Sequence, residues 1–245
     1  MKLELNARTD GRVSSPFLSL FTGLVLFLFP ETLALAQDVE ANLKTVYVSG
    51  DYAMTTHKSG LVESNDTGST TRYSLGFNVG DSKQLNVALQ TETSAINFAL
   101  NSTATALLYR DTRISYRMGY FYLGIVSAYA EASAQSADGT DIFSGQGAGT
   151  GYNAGVYIPV GGRSLLQVDF TSAAISSFLN KNEAVTVSMG SRTDIDIVGH
   201  LPISKRSVGL DLGYRQRTQP ISVDDVTTTE TVMNTYIGFS FGSEM

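Results

Sequence analysis

The chain has 245 residues, a formal net charge of −6, and neither cysteine nor tryptophan. Without cysteine there is no disulfide framework, no thiolate metal site and no lipid-anchored N-terminal cysteine. An acidic balance argues against nucleic acid as a partner, because phosphate binding wants a basic face.

Lys2, Arg8 and Arg12 open the chain, and the apolar run Phe17 to Phe29 follows, then Pro30 and the small-residue pattern Ala34-Leu35-Ala36. This is the layout of a secretory signal peptide, with cleavage expected after Ala36. The run is about 13 residues, against the roughly 20 that a spanning helix needs. The expected organisation is a signal peptide over 1–36 and one domain over 37–245.

From Lys44 onward the dominant period is two, the period of strands. The first predicted strand carries Val46, Val48, Gly50, Tyr52 and Met54 on one face. The second sets Tyr73, Leu75, Phe77 and Val79 against Arg72, Ser74, Gly76 and Asn78. The third sets Leu85, Val87 and Leu89 against Asn86, Ala88 and Gln90. The fourth ends with Ile114, Tyr116 and Met118 against Arg113, Ser115 and Arg117. The fifth, from Tyr120, is apolar on both faces, so its orientation stays open.

The sixth strand sets Tyr152, Ala154, Val156 and Ile158 against Asn153, Gly155 and Tyr157. The seventh sets Leu166, Val168 and Phe170 against Gln167, Asp169 and Thr171. The eighth is long, with Val185, Val187, Met189, Ile195, Ile197 and Leu201 on the apolar face. Thr186, Ser188, Arg192, Asp194, Asp196 and His200 share its other face. The ninth sets Val208, Leu210, Leu212 and Tyr214 against Gly209, Asp211, Gly213 and Arg215. The tenth sets Met233, Thr235, Ile237, Phe239 and Phe241 against Asn234, Tyr236, Gly238 and Ser240.

Short turns fall at 80–83, 118–119, 161–163 and 204–206, and longer polar stretches near 55–70, 93–103, 133–149, 175–183 and 219–229. Strand, long loop, strand and short turn therefore alternate. Ten strands in this order place both ends of residues 37–245 on the short-turn side. The predicted fold is all-β: an antiparallel up-and-down transmembrane β-barrel of about ten strands, with eight or twelve as neighbouring counts. A soluble β-sandwich alternates too. The barrel is preferred because the export signal, the even strand number and the loop asymmetry agree. Tyr52, Tyr73, Tyr116, Tyr120, Tyr152 and Tyr214 also lie towards strand ends, where an interfacial aromatic girdle belongs.

The stretch Met233 to Phe241, alternate apolar residues leading to an aromatic, resembles the terminal strand signal of bacterial outer-membrane barrels. Gly242-Ser243-Glu244-Met245 follow it, a departure from the family pattern. The resemblance implies recognition by the barrel-assembly machinery, contact with outer-membrane lipid and lipopolysaccharide, and a place in the outer membrane after export through the periplasm.

In a barrel the polar face points into the lumen. The candidate lumen charge network is Arg72, Arg113, Arg117, Asp169, Arg192, Asp194, Asp196, Asp211 and Arg215. Ten strands leave an interior close to the size that side chains fill. Charges of both signs are expected to pair across it, since unpaired buried charge is costly. A structural, salt-bridged interior with surface interactions made by the outer loops is the first functional expectation. A narrow channel is the second, and an outer-rim hydrolase the third.

Enzymatic residues are sparse. His57 falls in the first polar stretch and His200 beside the 204–206 turn, at opposite ends, so they cannot share a site. Asp224-Asp225, in the last polar stretch, loosely resembles the acidic pairs of ten-stranded outer-membrane proteases, and no histidine is close to it in sequence. Gly145-Gln146-Gly147-Ala148-Gly149 lacks the strand-to-helix context of a dinucleotide site and is expected to be a flexible outer loop. No catalytic residue, metal site or cofactor is expected.

Overall fold

The computed structural model describes residue 39 and residues 43–59, 65–80, 82–98, 103–135, 141–161, 164–180, 187–203, 208–223 and 226–243. Residues 1–36, expected to be a signal peptide, and Asp224-Asp225 lie outside these. The strands are β1 (Val46–Ser59), β2 (Asn65–Val79), β3 (Leu85–Phe98), β4 (Thr103–Met118), β5 (Phe121–Gln135), β6 (Asp141–Gly161), β7 (Ser164–Asn180), β8 (Val187–Met189), β9 (Ser191–Pro202), β10 (Val208–Val223) and β11 (Val226–Ser243). Neighbours in sequence pair antiparallel except at β8, where β7 pairs with β9 and β8 with β10, and β1 pairs with β11 from Val46↔Ser243 to Ser59↔Glu230, closing the sheet.

β8 and β9 act as one wall strand broken at Gly190, so the barrel has ten strands. The break has a local cause. Pro220 on β10 has no N–H to give to the ladder. Gly190 sits opposite it and donates its own N–H to the Pro220 carbonyl at 2.8 Å. The side-chain parity changes there: Met189 points inward on one side and Arg192 on the other. Met189 was expected outside and Ser188 inside; the structure reverses both.

The turns at one end are tight. Gly80 (φ +96°) closes β2 to β3 and Gly119 (φ +65°) closes β4 to β5, both in the left-handed region that glycine enters without steric cost. At the other end the strands run further than the sequence suggests. β1 reaches Ser59, β2 starts at Asn65, β10 reaches Val223 and β11 starts at Val226. Most of each long polar stretch is therefore barrel wall. Gly145 to Gly149 lies within β6, and its first two glycines are buried. The 16-residue β4 is about 50 Å long and, at a tilt of about 40°, about 40 Å tall, against an apolar belt of about 25 Å.

The outer surface shows the same division. Near the tight turns the outward residues are Val48, Phe77, Leu89, Ile114, Leu123, Ile125, Phe239 and Phe241, all exposed. Further along the same faces they become Thr67, Thr93, Thr112, Thr150 and Thr229. Tyr52, Tyr73, Tyr116, Tyr152 and Tyr214 point outward. Tyr120, expected in that girdle, instead turns inward and packs with Val39 and Leu165. β5 is oriented by its small residues: Ala128, Ala130 and Ala132 are buried inside, Leu123 and Ile125 stand outside.

The lumen as candidate functional site

The interior is polar and buried while the exterior is apolar and exposed, the inverse of a soluble protein. Cross-strand register places the charges. Asp51, Arg72 and Glu92 are direct neighbours along β1, β2 and β3. Arg215, Asp196 and Asp169 are direct neighbours along β10, β9 and β7.

Ion pairs join these rows across the lumen. Arg72 meets Asp51 at 2.6 Å and Asp196 at 2.8 Å. Arg215 bonds both Asp196 and Glu92. Arg217 meets Glu92 and Asp194 at 2.8 Å each. Arg192 meets Asp111 at 2.6 Å and Asp194 at 3.1 Å. Arg113 reaches Asp169 at 3.1 Å and Asp111 at 3.4 Å. The result is an unbroken chain from Asp51 to Asp169 that crosses from β1 to β7. Two tyrosines brace it: Tyr236 donates to Asp196 at 2.7 Å and Tyr122 to Asp169 at 2.6 Å. The Arg72 and Arg217 guanidiniums lie 4.2 Å over Tyr236 and 3.8 Å over Tyr109. Arg192 has no solvent exposure at all.

Seven of the nine candidate charges sit in this chain. Arg117 and Asp211 lie elsewhere, towards the tight turns. Arg117 donates to the backbone carbonyls of Gly119, at 2.8 Å, and of Ser82, and so ties two turns together. Asp211 accepts from His200, whose Nδ1 is 2.8 Å away, and His200 Nε2 faces Gln167 at 3.0 Å. Asp51, Glu92, Asp111 and Arg217 are the members that the sequence reading missed. Each shares the parity of an inward residue already assigned or implied, so extending the alternation past the supposed loop boundaries finds all four.

Beyond the chain, on the side away from the tight turns, Tyr109, Val126, Ala128, Ala130, Ala132, Ala173, Ile175 and Met189 form an apolar cluster. His57 is also at this end. It lies in β1 and not in a loop, because β1 continues to Ser59. Its Nε2 is 2.8 Å from Glu230 and its Nδ1 3.5 Å from Asp66, and the ring is buried. Among the described residues, no group of His, Asp and Glu is placed to hold a metal ion.

On the tight-turn side of the chain lies a cavity of about 240 Å³. Tyr47, Tyr122, Tyr157, Asn153, Gln167 and His200 line it, with Arg72, Arg113, Asp169 and Asp196 at its inner end. Leu43 and Lys44, just before β1, line the mouth. Val39 is buried against the wall, Asn78 donates to the Lys44 carbonyl at 2.6 Å, and Lys44 Nζ donates to the Ser240 carbonyl at 2.9 Å.

A closed, up-and-down antiparallel barrel with a charged interior and an apolar outer belt is the architecture of transmembrane β-barrels. No protein-family model matches the chain and no curated protein sequence matches it. Among solved structures it is similar to Neisserial surface protein A, at 16% identity over 80% of this chain and 96% of that one, with a TM-score of 0.45. It is also similar to the translocator domain of the autotransporter NalP from Neisseria meningitidis, at 14% identity, 91% and 97% coverage and a TM-score of 0.43. A third is the beta domain of the Bordetella autotransporter BrkA, at 9% identity, 82% and 100% coverage and a TM-score of 0.45. At such identities nothing about function passes from them to this chain.

Proposed function

We propose that this protein is an outer-membrane barrel whose lumen is closed to through-flow, and that it acts as a structural and surface-interaction element. One observation carries the reading: the ion-paired chain from Asp51 to Asp169 crosses the lumen with nearly all of its side chains buried. An open aqueous path needs water-accessible lining groups. Here guanidiniums and carboxylates of both signs are spent on one another. The apolar cluster above them adds a second closure.

The outer part of the molecule that meets partners is then mostly the Ser- and Thr-rich rim of a rigid wall, with short connections between strands. This differs from the large loops expected from sequence. Lipopolysaccharide and outer-membrane lipid are the proposed surroundings. Met233 to Phe241, which lies within β11 beside β1, is the proposed assembly signal. Acid–base catalysis by His57 is not favoured: the ring is enclosed and both nitrogens face carboxylates, which suits a tie between β1, β2 and β11.

The test is single-channel recording of the folded chain in a planar bilayer. The expected trace is flat. Steady, reproducible conductance steps would overturn the closed reading and move the narrow-channel reading into its place.

A further inference from the structure

We propose that the cavity on the tight-turn side is a binding site for a small neutral polyol, the chemistry of a monosaccharide. The proposal rests on the closed-lumen reading, because a blind cavity retains what enters it.

Charge is the first consideration. The ionic groups at the inner end are already paired: Arg72 with Asp51 and Asp196, Arg113 with Asp169. At the mouth His200 holds Asp211, and Arg117 and Lys44 hold backbone carbonyls. A charged ligand at the inner end would have to break one of these pairs to find a counter-charge, with the cost of leaving the other partner buried; at the mouth an anion would have to draw Arg117, Lys44 or Lys83 from the backbone carbonyl that each holds.

Neutral hydrogen-bonding groups are left over. Ser49, Ser74 and Gln90 line the cavity and form one register row across β1, β2 and β3. Among the described residues none of the three side chains has a hydrogen-bond partner, although Asn86 and Asn153 nearby are committed to Asn78 and Ser115. Two hydroxyls and a carboxamide in a row offer both donors and acceptors at strand spacing. That suits a ligand with successive hydroxyls.

The third observation is aromatic. Tyr47 covers Gly76 on the neighbouring strand and Tyr122 covers Gly155; a Cβ would meet the Tyr47 ring at 2.2 Å and the Tyr122 ring at 2.4 Å. Each ring therefore lies along the wall and lines the cavity, Tyr122 backed by Tyr157 with ring centroids 5.1 Å apart, and aromatic lining is what the apolar C–H face of a sugar ring packs against. The volume of about 240 Å³ falls just short of the roughly 300 Å³ at which drug-sized pockets begin, and matches a ligand of about a dozen heavy atoms. At the efficiency of ordinary ligands such a molecule binds with Kd on the order of 1 mM.

The experiment is saturation-transfer NMR on the full folded chain in a detergent with no sugar headgroup. The probes are glucose, a glucose trisaccharide, acetate and inorganic phosphate. Saturable transfer from glucose, with none from acetate or phosphate, is expected. Gln90→Leu should weaken it by about tenfold, the effect of one hydrogen bond. Ala88→Leu, which fills the cavity from β3, should abolish it. Folding of each variant is checked by its gel mobility before and after boiling. Trisaccharide binding at equal or higher affinity would assign the end of a saccharide chain as the ligand, and glucose binding alone a free sugar. Absence of glucose binding, preference for the anions, or glucose binding that survives Ala88→Leu in a folded variant would overturn the proposal. Conductance is read separately, so loss of the closed-lumen reading and loss of the site are distinguishable.

Discussion

Replacing Arg217 with methionine tests whether the charge chain is dry. Arg217 donates to Glu92 at 2.8 Å and to Asp194 at 2.8 Å and 3.4 Å, and lies 3.8 Å over Tyr109. Methionine keeps most of the volume and removes the charge. Glu92 then keeps Arg215 and Asp194 keeps Arg192. Each carboxylate is half-compensated, so the cost falls at the lower end of that for breaking a buried pair, about 3 kcal/mol. Loss of the guanidinium over Tyr109 adds about 1 kcal/mol, giving about 4 kcal/mol in all. With no tryptophan in the chain, unfolding in urea is followed by far-UV circular dichroism and by the gel shift of the folded form. A loss below about 0.5 kcal/mol is the value for an exposed ion pair. It would mean that water reaches Glu92 and Asp194 and that the lumen is not closed.

Three further outcomes follow from the same geometry. Gly238→Ala places a Cβ 1.8 Å from Asp51 Oδ1 and 2.7 Å from the Gly50 carbonyl, so Asp51 must leave Arg72; a loss of about 2–3 kcal/mol in urea unfolding is expected. Ile125→Arg, at an outward position 65% exposed, should cost about 2–4 kcal/mol in lipid vesicles. The same change on a soluble protein's surface is worth less than about 0.5 kcal/mol, so a small effect would refute the lipid-facing assignment. Truncating Arg72, Arg215 and Arg217 together to alanine removes three of the five guanidiniums in the chain and should turn a flat bilayer trace into a conducting one. A flat trace from that folded variant would place the closure in the apolar cluster around Tyr109 instead.

Strand identity, order and, outside β5, facing were legible because two constraints act on every residue of such a wall. Each backbone group must pair within the barrel, and each side chain must face either lipid or lumen. The alternation of Leu210, Asp211, Leu212, Gly213 and Tyr214 records both. Where lipid ends, only the first constraint continues. Thr67, Thr93 and Thr112 stand outside the wall in a polar setting, hydrophobic contrast disappears, and the period-two signal goes with it. That is why His57 and the glycines from Gly145 read as loop. Propensity offered some correction, since threonine is a good strand former and loops favour Gly, Pro, Asn and Asp. The inversion at Gly190 was illegible for another reason: it depends on Pro220, a residue of the next strand, brought opposite by register.

The lumen divides by side-chain size along the register rows. Where long side chains face one another, as at Arg72, Glu92, Arg215 and Arg217, guanidinium and carboxylate reach across and meet. One row towards the tight turns, Ser49, Ser74 and Gln90 replace them on β1 to β3, and in the next Gly76 and Ala88 sit side by side. The wall is the same distance away, but nothing on this side is long enough to fill the space. The cavity is thus a consequence of adjacent strands carrying short inward residues at these heights, Ser49 on β1, Ser74 on β2 and Ala88 on β3. That gives the site hypothesis its sharpest form. Lengthening Ser74 or Ala88 should remove the cavity, whereas lengthening an inward residue at the far end, such as Ala130, should leave it open.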